Sequence, residues 1–147
     1  MSVPKVYADD YEFRLGKAIT VRSGDDVTLI GNGTVLWRAL AAAEQLATEG
    51  ISARVLSMPT VKPLDVDAVV AAARETAGIV TAEEAVTTGG LGGAVAETVV
   101  QHHPARVAIL GFPEFAPTGS AGYLLDRYGL SPDGIADSAR RLVTTGK

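Results

Sequence analysis

Cysteine is absent from this chain of 147 residues. That excludes disulfides, thiolate zinc sites and cysteine nucleophiles, and it fits a reducing compartment. Aromatic residues make up only 5%, too few for the stacking platform that grips single-stranded nucleic acid. Lys and Arg number 13 against 17 Asp and Glu, for a net charge of −4. The basic residues are scattered, whereas phosphate binding needs them clustered. No apolar run approaches the ~20 residues that cross a bilayer, and the first ten residues carry no hydrophobic signal core. The expectation is a cytoplasmic protein with neither nucleic acid nor membrane as partner.

What is present is a core. Hydrophobic residues make up 47% of the chain and charged residues 20%, the composition of one globular domain. A domain of this size buries roughly 68–70% of its unfolded surface and needs no covalent staple. After a mixed, proline-containing lead (1–15), Phe13 to Arg22 reads as an irregular or edge-strand entry. The Gly24-Asp25-Asp26 turn then precedes Val27 to Ile30, a compact buried strand. Gly31-Asn32-Gly33 breaks that strand, and Thr34 is the residue type that caps a helix N-terminus. Val35, Leu36, Ala39, Leu40, Ala43, Leu46 and Ala47 fall on one helical face, closed by Gly50.

Ile51 to Ser57 forms a second strand. Asp65 caps a helix to about Ala77, with Val66, Val69, Val70 and Ala73 inward. Ile79 to Ala82 is the third strand, Leu91 to His102 a third helix, and Arg106 to Leu110 the fourth strand. Gly111 to Thr118 reads as irregular, followed by helices over about Ser120–Tyr128 and Pro132–Val143. Ser131 before Pro132 makes an efficient helix start. Strands alternating with helices of ten or more residues specify a three-layer α/β/α domain (16–147) on a mainly parallel sheet with right-handed crossovers.

The densest local signal is Ile79 to Val95. A short apolar run ends on Glu83 and Glu84, and Gly89, Gly90, Gly92 and Gly93 then lead into an Ala/Val-rich helix. Paired carboxylates raise one pKa when they share a site, which suits acid–base work. Neighbours on a strand point to opposite faces, however. Hydrogen bonding to the glycine-loop amides is therefore the favoured role. The loop opens a helix and could cradle an anion through its amides. It lacks the Gly-Lys-Ser/Thr ending of a P-loop and the dinucleotide fingerprint, so close backbone packing outweighs anion binding there. Gly31-Asn32-Gly33 fails the same fingerprint, because Leu36 occupies the third glycine position. His102 and His103 are adjacent on a helix end, poor geometry for a shared metal but favourable for imidazolium against the helix dipole. Lys62 and Trp37 are mainly structural candidates.

Several of these strings, in this order, resemble the C-terminal domain of the transketolase family of thiamine-diphosphate enzymes. They are Gly24-Asp25-Asp26-Val27-Thr28-Leu29-Ile30, Thr60-Val61-Lys62-Pro63-Leu64-Asp65, Glu83-Glu84 with Gly89-Gly90-Leu91-Gly92, Phe115 to Gly119, and Tyr128-Gly129-Leu130. The match runs from about Gly16 to Ser138, and the lead is similar to the family's interdomain linker. Tyr128-Gly129-Leu130 favours the transketolase and deoxyxylulose-phosphate synthase branches. Where many members carry histidine after the paired glutamates this chain has Ala85, so that histidine's role does not carry over.

The resemblance implies a domain that packs and associates without holding the cofactor. It implies thiamine diphosphate and a divalent metal (Mg) only in the complete enzyme, on other domains. Gly24-Asp25-Asp26 is the string closest to the family's Gly-Asp-Gly, and it lacks the final glycine and the downstream Asn. No catalytic, cofactor or metal residue is therefore expected here, and the implied partners are the remaining transketolase domains or an N-terminal subunit, in a homo- or hetero-oligomer. A stand-alone module binding a small anion at Glu83–Gly93, or a regulatory or dimerisation domain, is the rival reading.

Overall fold

The computed structural model describes residues 4–7 and 9–145; Met1 to Val3, Ala8, Gly146 and Lys147 lie outside it, and with them the first residues of the linker-like lead. Five strands form one sheet in the order β1-β3-β2-β4-β5. They are β1 (Ile19–Arg22), β2 (Val27–Gly31), β3 (Ala53–Ser57), β4 (Ile79–Val86) and β5 (Val107–Phe112). β2, β3, β4 and β5 run parallel and β1 joins β3 antiparallel, so the α/β/α expectation holds with one antiparallel edge.

The helices are α1 (Leu36–Thr48), α2 (Val66–Glu75), α3 (Leu91–His102), α4 (Ala121–Arg127) and α5 (Pro132–Thr145). Strand alternation splits the apolar side chains between two cores. Val27, Leu29, Val55 and Val80 pack with Leu36, Leu46, Ile135 and Leu142 from α1 and α5. Ile30, Leu56 and Ile79 pack with Val69, Leu91, Val95 and Val99 from α2 and α3. The connection through α1 runs from β2 toward β3, and those through α2 and α3 run the opposite way across the sheet. Right-handed crossovers must then place α1 on one face and α2 and α3 on the other. The direction reverses between β2 and β4, which is where an open α/β sheet leaves its crevice.

Several sequence expectations shift by a turn or a residue. Thr34 does not cap a helix: a 3-10 turn occupies Gly33–Val35, and α1 starts behind it with no side-chain cap. On α1, Ala47 is exposed and Leu40 half-buried, while Ala42 and Arg38 turn inward. On α2, Asp65 does cap, accepting from Ala68 N–H at 3.2 Å, but Val66 at the first helical position is exposed and Ala72 takes the inward place. β4 continues four residues past Ala82, because the two carboxylates belong to the strand. Among the described residues no helix is long and apolar enough to cross a membrane.

The Thr60–Asp65 hexapeptide holds the start of the domain. Thr60 Oγ1 accepts from Gly16 N–H (3.0 Å) and donates to Pro63 O (2.9 Å). The buried Asp65 takes Ala18 N–H on its second oxygen at 2.8 Å. The lead is tied at a further point, where the Tyr7 and Ser57 hydroxyls meet at 2.5 Å. On the other face, Arg140 of α5 donates twice to the Glu49 carboxylate after α1, at 2.7 Å each. Those bonds hold the Glu49 carboxyl below its ordinary value.

Among the described residues one buried side-chain polar atom has no partner. Thr81 Oγ1 on β4 is fully buried without a hydrogen bond, between Ile30 and Ile109 on the neighbouring strands. An unsatisfied buried hydroxyl costs about 1–3 kcal/mol. Thr81→Val, which keeps the branched shape and removes that atom, is expected to leave stability unchanged or to raise it by about 1 kcal/mol. Urea denaturation measures this, and a loss of stability would show that the hydroxyl has a partner in solution.

Candidate functional site

The carboxyl end of β4 is where the sequence signals meet. Ala82 pairs with Leu110, and the next pair is Val86 with Phe112, so three residues of β4 bulge opposite Gly111 alone. Glu83 lies on the same face of β4 as Ile79 and Thr81 and so points beneath α3, where it is 3% exposed. Leu91 N–H donates to Glu83 Oε2 at 3.0 Å and Gly92 N–H to Oε1 at 3.1 Å. Gly90, the N-cap residue of α3, offers no side-chain cap of its own. The first turn of α3 is thus capped from the neighbouring strand by a carboxylate whose charge also suits the positive end of the helix.

The glycines follow from that contact. A Cβ on Gly90 would sit 2.4 Å from Glu83 Oε1, and one on Gly92 would sit 2.3 Å from Ile109 Cγ2. Gly89 holds φ at +80° in the turn, a conformation that favours glycine. Opposite the bulge, a Cβ on Gly111 would meet Ala85 O at 2.8 Å. Gly93 has open space around it, and nothing in the structure demands glycine there.

Glu84 faces the other way and is exposed. Its carboxylate accepts from the Thr34 hydroxyl at 2.5 Å, which gives Thr34 its place: it ties the loop after β2 to the end of β4. Asn32, Gly33, Thr34, Pro59 and the Glu83–Ala85 segment border an open recess of 390 Å³. This is the crevice at the reversal between β2 and β4. The two adjacent carboxylates therefore serve separate partners, one amide-bound under a helix and one at the recess rim.

Elsewhere the structure gives the remaining candidates plain positions. Asp25 and Asp26 donate their amides to Ser52 O (3.1 and 2.9 Å), and Asp26 Oδ2 accepts from Ser52 N–H at 2.7 Å. The Gly24 turn is thereby locked against the start of β3, and its donor set does not fit a metal–diphosphate group. Among the described residues no three His, Cys, Asp or Glu side chains converge as metal ligands. His102 ends α3 and His103 caps it through its backbone. Lys62 is exposed. Trp37 carries the Arg38 guanidinium 4.7 Å above its ring. Sequence reasoning missed Arg38, the Thr34–Glu84 tie and the Thr60–Asp65 clamp, none of which has a local signal.

Comparison with known proteins gives one consistent picture. The family model described as "Transketolase, C-terminal domain" matches residues 16–135. The chain is 43% identical over 144 residues to one of the subunits of apulose-4-phosphate transketolase from Phocaeicola vulgatus, covering 97% of this chain and 46% of that one. It is 40% identical to the 6-deoxy-6-sulfo-D-fructose transketolase subunit SqwH of a Clostridium species, covering 94% and 43% respectively. The chain thus spans about half the length of these curated relatives. Among solved structures, a split-gene transketolase described as an inactive beta4 tetramer superposes with a TM-score of 0.93 at 36% identity, over 99% of this chain and 48% of that one.

The cap makes a direct forecast for stability. Glu83→Ala leaves two buried amides without an acceptor and is expected to cost about 2–5 kcal/mol. Gly92→Ala, which drives a methyl into Ile109, is expected to destabilise, whereas Gly93→Ala in the open part of the same helix gains about 0.5–1 kcal/mol. Thermal and urea unfolding of the three variants checks the ranking, and equal effects at Gly92 and Gly93 would contradict the packing account.

Proposed function

This chain belongs to the transketolase C-terminal domain family, and from that premise we propose that it is the assembly part of a transketolase-like enzyme that leaves cofactor chemistry to other domains or to an N-terminal subunit. The complete enzyme transfers two-carbon ketol units between sugar phosphates in the cytoplasm, with thiamine diphosphate and magnesium bound outside this chain. The observation that carries the reading is Glu83. The leading amides of the glycine loop, the place where a phosphate would first be sought, are engaged by the protein's own buried carboxylate. The donors around Asp25 and Asp26 are likewise committed to Ser52. The split-gene relative described as an inactive beta4 tetramer supports an oligomeric role, as do relatives named as subunits.

A second reading, a stand-alone binding module for a small anion, draws on the recess at the reversal of strand direction. Glu84 at its rim places negative charge where an anion would enter. Assembly is the better supported of the two.

The test is a tagged pull-down of the full chain from its own cell extract, with identification of the eluate by mass spectrometry. Ketol transfer is then assayed with added thiamine diphosphate and magnesium. Recovery of a partner bearing the Gly-Asp-Gly segment, together with activity, is the expected result. Tight, stoichiometric binding of thiamine diphosphate to the purified chain alone would overturn the reading.

A further inference from the structure

The sheet has two edges, and the chain treats them differently. An open edge presents unpaired N–H and C=O groups, and proteins blunt it with short strands, charges, bulges or a covering segment. β1 has all of these. It is four residues long and carries Arg22, its register breaks between Thr20 and Arg22, and Val6, Tyr7 and Tyr11 of the lead border it. β5 is not guarded in this way. It reads Val-Ala-Ile-Leu-Gly-Phe without a charge, and among the described residues β4 is its only ladder partner.

The hydrogen-bond phase says which groups are open. Ile79 N–H donates to Arg106 O at 2.9 Å and Thr87 N–H to Phe112 O at 3.0 Å. In the regular stretch after Arg106, residues alternate along a strand, so Val107 and Ile109 turn their N–H and C=O away from β4. Their side chains stay accessible: Ile109 is 36% exposed and Val107 half-buried, while every residue of β2 is buried.

The flank of α3 beside this edge is also apolar. Gly92 abuts Ile109, and Ala94, Glu97, Thr98 and Gln101 border a recess with Val61 and Lys62 on the opposite flank. That leaves Ala96 and Val100, four apart on one helix face, toward β5. Val100 is 72% exposed.

We propose that β5 is a self-association edge, pairing antiparallel with β5 of a second copy of this chain, while Ala96 and Val100 of the two α3 helices close over the junction. The occupant follows from charge and from backbone chemistry. Each chain carries a net charge of −4, so two copies meet at least cost through a face without charge, and this strand and helix flank supply one. An antiparallel pair of identical strands satisfies its own two-fold symmetry, residue i meeting j and j meeting i. The open amides are met by another extended backbone, which the exposed β5 of a second copy supplies. This proposal deepens the assembly reading and rests on it.

Hydrogen exchange of the full chain, read amide by amide across a concentration series alongside sedimentation velocity, tests it. The expected result is a dimer whose formation slows exchange at Val107 and Ile109, while Ala108 and Leu110, already bonded to β4, stay slow throughout. Val100→Lys, at an exposed helix position, is expected to weaken the dimer at least tenfold with unchanged circular dichroism. Ile109→Lys is expected to do the same, and Phe115→Ser, at a 97% exposed loop residue, leaves association intact. A monomer at every soluble concentration, or a dimer without new protection at Val107 and Ile109, overturns the proposal. If such a monomer still restores ketol transfer with the captured partner, the assembly reading stands and only the β5 edge fails. Edge protection without any partner or activity supports the edge and sinks the enzyme reading.

Discussion

Everything at the carboxyl end of this sheet depends on one buried carboxylate. Glu83 sits in β4 on the face of Ile79 and Thr81, beneath α3, and takes the two amides that open the helix. A charge at 3% exposure is tolerable only when its lone pairs are filled, and the helix N-terminus fills them with two N–H groups and a favourable dipole. The cost is geometric. Gly90 and Gly92 have no room for a side chain because the carboxylate and Ile109 occupy it, and Gly111 must stay bare for the bulge to pass. The glycine-rich loop is thus the footprint of an internal anion.

That contact shows how a doubly wound sheet can engage its leading helix amides internally at the place where the architecture usually offers a phosphate site. The reversal between β2 and β4 still leaves a recess, but Glu84 and Thr34 bridge its rim and the α3 amides behind it are spent. The start of the domain is fastened by Thr60 and Asp65 and the lead by Ser57, one edge of the sheet is guarded, and the other is open.

Much of this is legible in the sequence, for identifiable reasons. α3 has the bounds that its glycines and Pro104 announce, Leu91 to His102, and Asp65 and Ser120 cap the helices they precede. The structural role of Glu83 follows from strand alternation and a nearby helix start, both local signals. What the sequence hides is non-local or depends on phase. β4 runs past Ala82, because a carboxylate looks like a strand end until a helix N-terminus gives it a buried partner. Thr34 has the chemistry of a cap, yet a tight turn at Gly33 displaces the helix and frees its hydroxyl for Glu84, 50 residues on. The clamp on Gly16 and Ala18 spans 44 and 47 residues, and no periodicity reveals it. Spacing alone puts Val66 inward, whereas the true phase of α2 buries Ala72.

The account turns on whether the Leu91 and Gly92 amides are already engaged. The most direct measurement follows their backbone resonances in the isotope-labelled chain during titration with inorganic phosphate and then with a sugar phosphate. The account predicts that neither resonance moves at concentrations that leave the rest of the spectrum unchanged, because Glu83 holds both amides. Saturable shifts at Leu91 and Gly92 would contradict it and would make the glycine loop a site for an external anion.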